Sequence, residues 1–303
     1  MTDYTVVRGV CPVIETPFAD DGEVDIVSFD RLLDHLVSAG VRSVMYPGYA
    51  SEFYKLTDTE REMLIGRVID RFRGVPGAVV VISVPDHSTY VAVERARAAA
   101  RAGAHMINIL PPYLNGPSGD QVQAHIRAVV DAVAPTPVIL QYAPAQTGTA
   151  LDAPTISFLS EQSPNLVQVK VESTPPGSLI SALRHQKPSL DTVVGYGGVQ
   201  LIDALRRGAV GVQPGCSFVE IYLRMWDLWE AGAESEAVAL HTRLLPYISY
   251  WMQGVELIVA AEKLISVRRG IIASSHCRAP ARLLDAEEVA LVDRFLAEFT
   301  DLL

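Results

Sequence analysis

Short, almost wholly apolar runs alternate with longer amphipathic segments along most of this chain. Eight runs rich in Val, Ile and Leu have the length and composition of strands buried on both faces, and they span residues 10–16, 41–46, 78–84, 105–110, 137–142, 165–172, 192–195 and 208–213. The segments between them repeat apolar residues every three or four positions, the spacing of a helix with one buried side. Eight consecutive strand–helix units predict an α/β protein with a closed parallel (β/α)8 fold, the TIM barrel.

The other architecture compatible with this alternation is an open, doubly wound sheet. It is less favoured because no Gly-x-Gly-x-x-Gly turn follows the first strand. After residue 216 the pattern becomes wholly helical, with helices expected at 218–231, 235–251, 255–267 and 286–302. We therefore expect the barrel strands and catalytic mouth in residues 1–216. The last barrel helix and a C-terminal helical extension should occupy 217–303, as part of one structural unit.

Composition and charge exclude several classes of protein. The chain has 303 residues, of which 49% are apolar and 20% charged, ample for a large core. A net charge of −10 without a basic run argues against nucleic-acid or anionic-membrane partners. No apolar stretch suggests a signal peptide or a membrane span. Cys11, Cys216 and Cys277 are far apart and odd in number, which suits a reducing cytoplasm better than a disulfide framework or a zinc site.

Lys170 is the most informative single residue of the sequence. It lies inside the apolar strand 165–172, and burial disfavours a charged ammonium. A neutral amine in a closed pocket is what Schiff-base chemistry with a carbonyl requires. The alternative is a strand-end lysine that extends its amine to solvent. In a barrel, function collects at the C-terminal strand ends, and Lys170 is the only one of four lysines at such an end. This favours the reactive amine.

Other polar residues also follow the predicted strands. Tyr142 ends the strand before Lys170 and is a candidate proton shuttle, although a half-buried structural tyrosine is the simpler interpretation. Glu172, Tyr196 and Gln213 are candidates for substrate binding because they lie at the ends of the sixth, seventh and eighth strands. Glu52, Asp86, His87 and Glu172 could also transfer protons. For Glu52 we instead expect an anchoring role in the loop after the second strand, and for His87 a cap on the helix after the third. The acidic residues are too scattered to predict a metal site.

Glycines after the last two strands could form a phosphate-binding site, which many TIM barrels have at this position. These are Gly195, Gly197, Gly198 and Gly215. No Gly-Lys-Ser/Thr helix start accompanies them, and a close approach of other groups to the backbone explains them equally well.

An ordered set of motifs resembles the class I, Schiff-base-forming lyases that include dihydrodipicolinate synthase and N-acetylneuraminate lyase. The resemblance runs from Arg8 into the C-terminal helices. It rests on Thr16-Pro17-Phe18, on Gly48-x-x-x-Glu52 with Leu56-Thr57 and Glu60-Arg61, on Pro111-Pro112-Tyr113, on Tyr142-Ala143-Pro144 with Thr147-Gly148, and on Val169-Lys170-x-Glu172.

This resemblance implies specific roles. Lys170 would form an imine with a small 2-keto acid substrate and Tyr142 would move protons, with no cofactor and no metal. The loop of Tyr49, Ala50 and Ser51 would bind the substrate carboxylate through backbone N–H groups, with the Ser51 hydroxyl as a further donor. Homotetramers, or else homodimers, are the expected assembly.

Departures from the two named enzymes narrow the expected activity. Tyr49 and Ala50 replace the two threonines of dihydrodipicolinate synthase, and Leu114 replaces its second tyrosine. Its substrate-binding arginine is absent, with Gln146 nearby. Gly197 and Gly198 stand where N-acetylneuraminate lyase has acidic residues.

The branch of 2-keto-3-deoxy sugar acid dehydratases and aldolases resembles this chain more closely, in Ser51-Glu52, in residues 143–151 and in residues 270–274. We therefore expect a lyase that dehydrates a 2-keto-3-deoxy sugar acid or cleaves it by a retro-aldol step. The alternatives are a pyruvate aldolase like either named enzyme, or a non-catalytic keto-acid sensor.

Overall fold

The computed structural model describes residues 4–303 and confirms the predicted (β/α)8 barrel fold. Its eight-stranded sheet has the order β1-β8-β7-β6-β5-β4-β3-β2. The strands are β1 (Gly9–Val10), β2 (Ser43–Tyr46), β3 (Val79–Val84), β4 (Met106–Ile109), β5 (Val138–Tyr142), β6 (Leu166–Val171), β7 (Asp191–Val194) and β8 (Gly211–Val212). From β3 to β8, each strand pairs with the next in parallel.

Helices connect the strands and continue after the last one. They are α1 (Ile26–Ser38), α2 (Asp58–Phe72), α3 (Thr89–Ala102), α4 (Gly119–Val133), α5 (Pro144–Thr147), α6 (Ala153–Gln162), α7 (Gly177–His185), α8 (Leu201–Arg206), α9 (Val219–Glu230), α10 (Glu234–Trp251), α11 (Val255–Arg268) and α12 (Ala286–Glu298). The wholly helical C-terminal region is therefore confirmed. No helix in the described part of the chain is both long and apolar enough to cross a membrane.

One local prediction needs correction, and two loops contain short helices that were not predicted. The first strand was expected at residues 10–16, but regular pairing is confined to Gly9–Val10. Pro12 has no N–H to donate to a ladder, and beyond it Val13 makes only isolated bridges. The loop after β2 contains two short 3-10 helices, Tyr49–Ser51 and Phe53–Lys55. The loop after β5 contains the one-turn helix α5, with Pro144 at its first position.

The chain divides into two compact units. The first comprises the described residues up to Gly9 together with Gly77–Gln213, and it contains β3 to β8. Its strands are buried and carry mainly Val, Ile and Leu. The N-terminal segment is attached to it by Gln168, whose side chain accepts a hydrogen bond from Val7 N–H and donates one to Val7 O.

The second unit comprises Val10–Pro76 and Pro214–Leu303. Its C-terminal helices enclose an aromatic cluster, in which Trp251 is fully buried and contacts Phe218, Tyr247 and Phe295. The segment after α11 is bound back to the N-terminal part of the same unit, since Arg31 donates to Ile271 O and Arg278 donates to Gly22 O.

Candidate active site

Lys170 is buried near the C-terminal end of β6, with 4% of its surface exposed. Its amine lies 3.2 Å from Oε1 of Glu172. The two residues are two positions apart, so both side chains point to the same face of the strand. The alternative of an amine extended to solvent is excluded, because the amine is enclosed and faces a carboxylate.

Two hydrogen bonds and the close approach of Gly195 hold the Glu172 side chain in place. Gln141 Nε2 donates to its Oε2 at 2.7 Å, and Tyr196 N–H donates to its Oε1 at 3.4 Å. A Cβ atom on Gly195 would lie 2.2 Å from Oε1, so only glycine permits this approach. The interpretation of Gly195 as a residue needed for close approach is thus confirmed.

Gln141 belongs to a row of buried polar side chains on adjacent strands. Asn108 Nδ2 donates to Gln141 Oε1 at 3.0 Å and to Ser83 Oγ at 2.8 Å. Ser83 pairs with Asn108 in the sheet register, and Gln141 pairs with Lys170. The row therefore connects β3, β4 and β5 to the Lys170–Glu172 pair on β6.

Tyr142 has a different environment from Gln141. It is the last residue of β5 and pairs with Val171, one position beyond the Gln141–Lys170 pair. Its hydroxyl accepts a hydrogen bond from Leu151 N–H at 3.3 Å. The role of proton shuttle therefore stays a prediction, and the carboxylate of Glu172 is the group in contact with the amine.

Tyr196 and Gln213, the other candidates of this unit, lie at the ends of neighbouring strands. Tyr196 has a left-handed backbone conformation with φ of 53°, and Gln146 Nε2 donates to its hydroxyl. Gln213 is buried, and its N–H donates to Val194 O at 2.9 Å. Binding of substrate by either side chain stays a prediction.

In the second unit, the loop after β2 is fixed by Ser51. Its hydroxyl accepts from Gly48 N–H at 2.9 Å and donates to Ile14 O. The Ser51 hydroxyl proton is thus used within the protein, and the N–H groups of Ser51 and Glu52 donate to Gly48 O and Tyr49 O. The Tyr49 ring packs against the Phe53 ring at an interplanar angle of 58°, and Ala50 follows Tyr49 in the 3-10 helix. The predicted carboxylate-binding role of Tyr49, Ala50 and Ser51 stays a prediction.

Glu52 anchors this loop, as predicted. It is fully buried with φ of 52°, and it forms ion pairs with Lys55 at 2.9 Å and with Lys263. Lys263, on α11, is also fully buried and donates to His276 O at 2.9 Å. Two ammonium groups thus compensate one buried carboxylate.

A second buried polar cluster contains Glu15, Cys216 and Glu262. One ligand atom of each lies within 4.8 Å of the others, an arrangement that could hold a metal ion. Burial raises the pKa of Glu15, and burial together with the nearby Glu15 raises the pKa of Glu262 to about 8. Burial also raises the pKa of the Cys216 thiol. These shifts favour protonated, neutral groups, and the predicted absence of a metal stays a prediction.

Several of these residues could not be identified from the sequence. Ser83, Asn108 and Gln141 are polar residues within apolar runs, and that interruption was the available signal. Lys263 lies within the predicted helix 255–267. Its burial could not be predicted, because its carboxylate partner, Glu52, is far away in the sequence. His87 was considered as a helix cap, but Ser88 caps α3 and His87 Nδ1 accepts from Tyr113 N–H and Leu114 N–H.

The chain is similar to known proteins over nearly its whole length. The model of the dihydrodipicolinate synthetase family matches residues 6–298. An L-2-keto-3-deoxyarabonate dehydratase of Azospirillum brasilense is 30% identical over 282 residues, covering 90% of this chain and 88% of the relative. The 4-hydroxy-tetrahydrodipicolinate synthase 1 of Streptomyces coelicolor is 30% identical over 291 residues, covering 93% of this chain and 90% of the relative.

A solved structure adds to this comparison. It is a prophage protein of the dihydrodipicolinic acid synthase family from E. coli K12, in complex with pyruvate. It is 25% identical with a TM-score of 0.88, and the match covers 98% of this chain and 99% of that chain. The matches span nearly the whole chain, as did the resemblance inferred from the motifs. The protein therefore belongs to the dihydrodipicolinate synthetase family, whose members are lyases.

Proposed function

We propose that this protein is a Schiff-base-forming lyase that acts on a 2-keto-3-deoxy sugar acid, with dehydration favoured over retro-aldol cleavage. The observation that carries the proposal is the buried pair of Lys170 and Glu172, in which an enclosed amine lies 3.2 Å from a carboxylate. An amine and an acid–base group at this distance are the two groups that imine formation requires.

Glu172 is the proton-transfer group in this proposal. The carboxylate is within direct reach of the amine, so it can accept a proton from the ammonium before attack. It can also return a proton when the carbinolamine loses water. Tyr142, which the family resemblance favours for this task, has its hydroxyl on Leu151 N–H. We retain it as a competing assignment.

The reaction proceeds in four steps. Lys170 Nζ adds to the C2 carbonyl, and loss of water gives an iminium. The C3–H bond breaks, its proton passes to Glu172, and its electron pair moves to nitrogen to form an enamine. The enamine expels the C4 hydroxyl, which takes a proton from the Glu172 carboxyl and leaves as water. Hydrolysis of the remaining iminium releases the product and the amine. The iminium is the electron sink, so we propose no cofactor.

In retro-aldol cleavage the C4 hydroxyl loses its proton to Glu172, the C3–C4 bond breaks toward the iminium, and an aldehyde leaves. The enamine that remains takes a proton at C3, and hydrolysis then releases pyruvate. We favour dehydration because the Azospirillum relative is named as a dehydratase. A keto acid as substrate is supported by the E. coli relative, which was crystallised with pyruvate.

The assembly and location complete the proposal. By family resemblance we propose a homotetramer, and light scattering after size-exclusion chromatography tests it against four times the 32.9 kDa chain mass. No disulfide joins Cys11, Cys216 and Cys277, which all lie in the described part of the chain, and this supports a reducing, cytoplasmic location.

Turnover on a panel of 2-keto-3-deoxy sugar acids, with pyruvate and aldehyde acceptors included, tests the proposed function. We expect a product that has lost one water, identified by mass. Pyruvate and an aldehyde as products would assign the cleavage reaction instead. Saturable binding without any product would favour the keto-acid sensor and overturn the proposal.

A further inference from the structure

The row of polar side chains that leads to Glu172 has a fixed direction of hydrogen bonding. Asn108 is fully buried, and its Nδ2 donates to both Ser83 Oγ and Gln141 Oε1. An amide nitrogen carries two hydrogens, so both are used. Gln141 Oε1 is therefore the acceptor, which leaves Nε2 of the same amide to face Glu172.

This direction determines how Glu172 is oriented. Gln141 Nε2 donates to Oε2 at 2.7 Å, a short distance typical of a bond to a charged acceptor. The second oxygen, Oε1, is then the one that lies 3.2 Å from the Lys170 amine. If the Gln141 amide were reversed, its carbonyl oxygen would face the carboxylate, and the two would repel.

Core stability alone does not require this row. The strand positions around it carry fully buried Val and Ile, and burying amides in place of such residues costs free energy unless every group is satisfied. The Asn108 Oδ1 atom is buried without a hydrogen-bond partner in the described structure. If the row served only the stability of the core, apolar residues could replace all of its members together.

We propose that Asn108 and Gln141 are positioning residues that hold the Glu172 carboxylate with one oxygen aimed at the Lys170 amine. This inference rests on the proposed function, because it assigns Glu172 a part in imine formation. Asn108 acts at a distance, through Gln141 and Glu172, and does not itself contact the amine.

Two isosteric substitutions test the proposal. In Asn108→Asp, the ionised carboxylate cannot donate to Gln141, so the Gln141 amide turns toward the new carboxylate and withdraws its N–H from Glu172. In Gln141→Glu, two carboxyl groups face each other and compete for one proton. Gln168→Glu is the matched control, since Gln168 is a buried amide on β6 that bonds to Val7 rather than to Glu172.

The readout is the rate of imine formation with pyruvate, trapped by borohydride and quantified by intact mass across pH 5 to 9. We expect Asn108→Asp and Gln141→Glu to slow imine formation at pH 7 at least about tenfold. In a plot of this rate against pH, the acid limb is the part in which the rate rises with pH. We also expect both variants to move the acid limb upward by about one pH unit. Gln168→Glu should leave the acid limb in place, even if it lowers the melting temperature.

The outcomes separate this inference from the proposed function. If the wild-type protein traps pyruvate and neither variant moves the acid limb, the positioning role is wrong while the proposed function stands. If the wild-type protein traps neither pyruvate nor a sugar acid, the proposed function fails, and the inference fails with it. Near-ultraviolet circular dichroism verifies the fold of each variant, and two independent variants keep the result decisive if one misfolds.

Discussion

At the scale of single residues, Glu172 and Tyr142 compete for one role, the proton transfers beside Lys170. The carboxylate of Glu172 lies 3.2 Å from the amine, whereas the Tyr142 hydroxyl accepts a hydrogen bond from Leu151 N–H. Direct transfer requires donor and acceptor within hydrogen-bond reach. The geometry thus favours Glu172, although the family resemblance favours Tyr142.

Substitution of each residue distinguishes the two assignments. We expect Glu172→Gln to lower kcat by about 10² to 10⁴-fold, because the amide cannot exchange protons while its shape is kept. Tyr142→Phe should lower kcat by less than about tenfold. Steady-state kinetics on the best substrate of the panel provides the measurement.

Glu161→Gln is the matched control, because Glu161 is an exposed glutamate on α6 and should leave kcat unchanged. The opposite ranking, with Tyr142→Phe far more damaging than Glu172→Gln, would assign the shuttle to Tyr142.

The sequence was sufficient to identify Lys170 and insufficient to identify its supporting residues. A lysine in an apolar run is a visible interruption, and its place at the C-terminal end of a predicted barrel strand favoured a reactive amine over one extended to solvent. Ser83, Asn108 and Gln141 are different, because their roles depend on which strand faces which and in what register. Register is determined by packing and pairing across the whole sheet, which a single sequence does not state.

At the scale of elements, local signals predicted most helices well. Thr57 and Glu60 have the spacing of a capping box at the start of α2, and both of its hydrogen bonds are present. Helices α11 and α12 begin at Val255 and Ala286, as predicted. The short elements were missed because α5 and the two 3-10 helices are too brief to show a periodic pattern.

The α2 cap provides a stability test. We expect Thr57→Ala to lower the free energy of unfolding by about 1 kcal/mol, because the Glu60 N–H loses its acceptor. Denaturant titration of the variant and the wild type measures this difference. Thr59→Ala, in the first turn of the same helix, is the control and should be neutral or slightly stabilising, since Ala favours helix more than Thr. Equal effects of the two substitutions would contradict the capping role.

At the scale of the whole molecule, the buried carboxyl groups of Glu15 and Glu262 make stability depend on pH. The two residues are far apart in sequence, so neither their proximity nor their burial could be predicted from it. Burial and the like charge of Glu15 raise the pKa of Glu262 to about 8, whereas the ordinary value is 4.5. The folded protein therefore holds a proton that the unfolded chain releases.

The sign of the pH dependence follows from this difference. The stabilisation is complete below the unfolded pKa and is lost as the pH rises through the folded pKa, by about 1.4 kcal/mol per pH unit for one proton. We expect the melting temperature to fall between pH 5 and pH 8 in the wild type, and to fall less in Glu262→Gln, which cannot ionise. Thermal unfolding at several pH values, under reducing conditions, measures both slopes.

The control for this experiment is Glu287→Gln on α12, where the glutamate is exposed and the wild-type slope should be retained. Identical slopes for the wild type and Glu262→Gln would show that Glu262 is not the group that loses its proton.

The central claim is that Lys170 forms an imine with a keto acid. Incubation with pyruvate and with a 2-keto-3-deoxy sugar acid, reduction with borohydride and peptide mass mapping test it most directly. We predict one adduct per chain on the peptide that contains Lys170, and none in Lys170→Arg. No adduct with either substrate, or an adduct that maps to Lys55, Lys187 or Lys263, would contradict the claim.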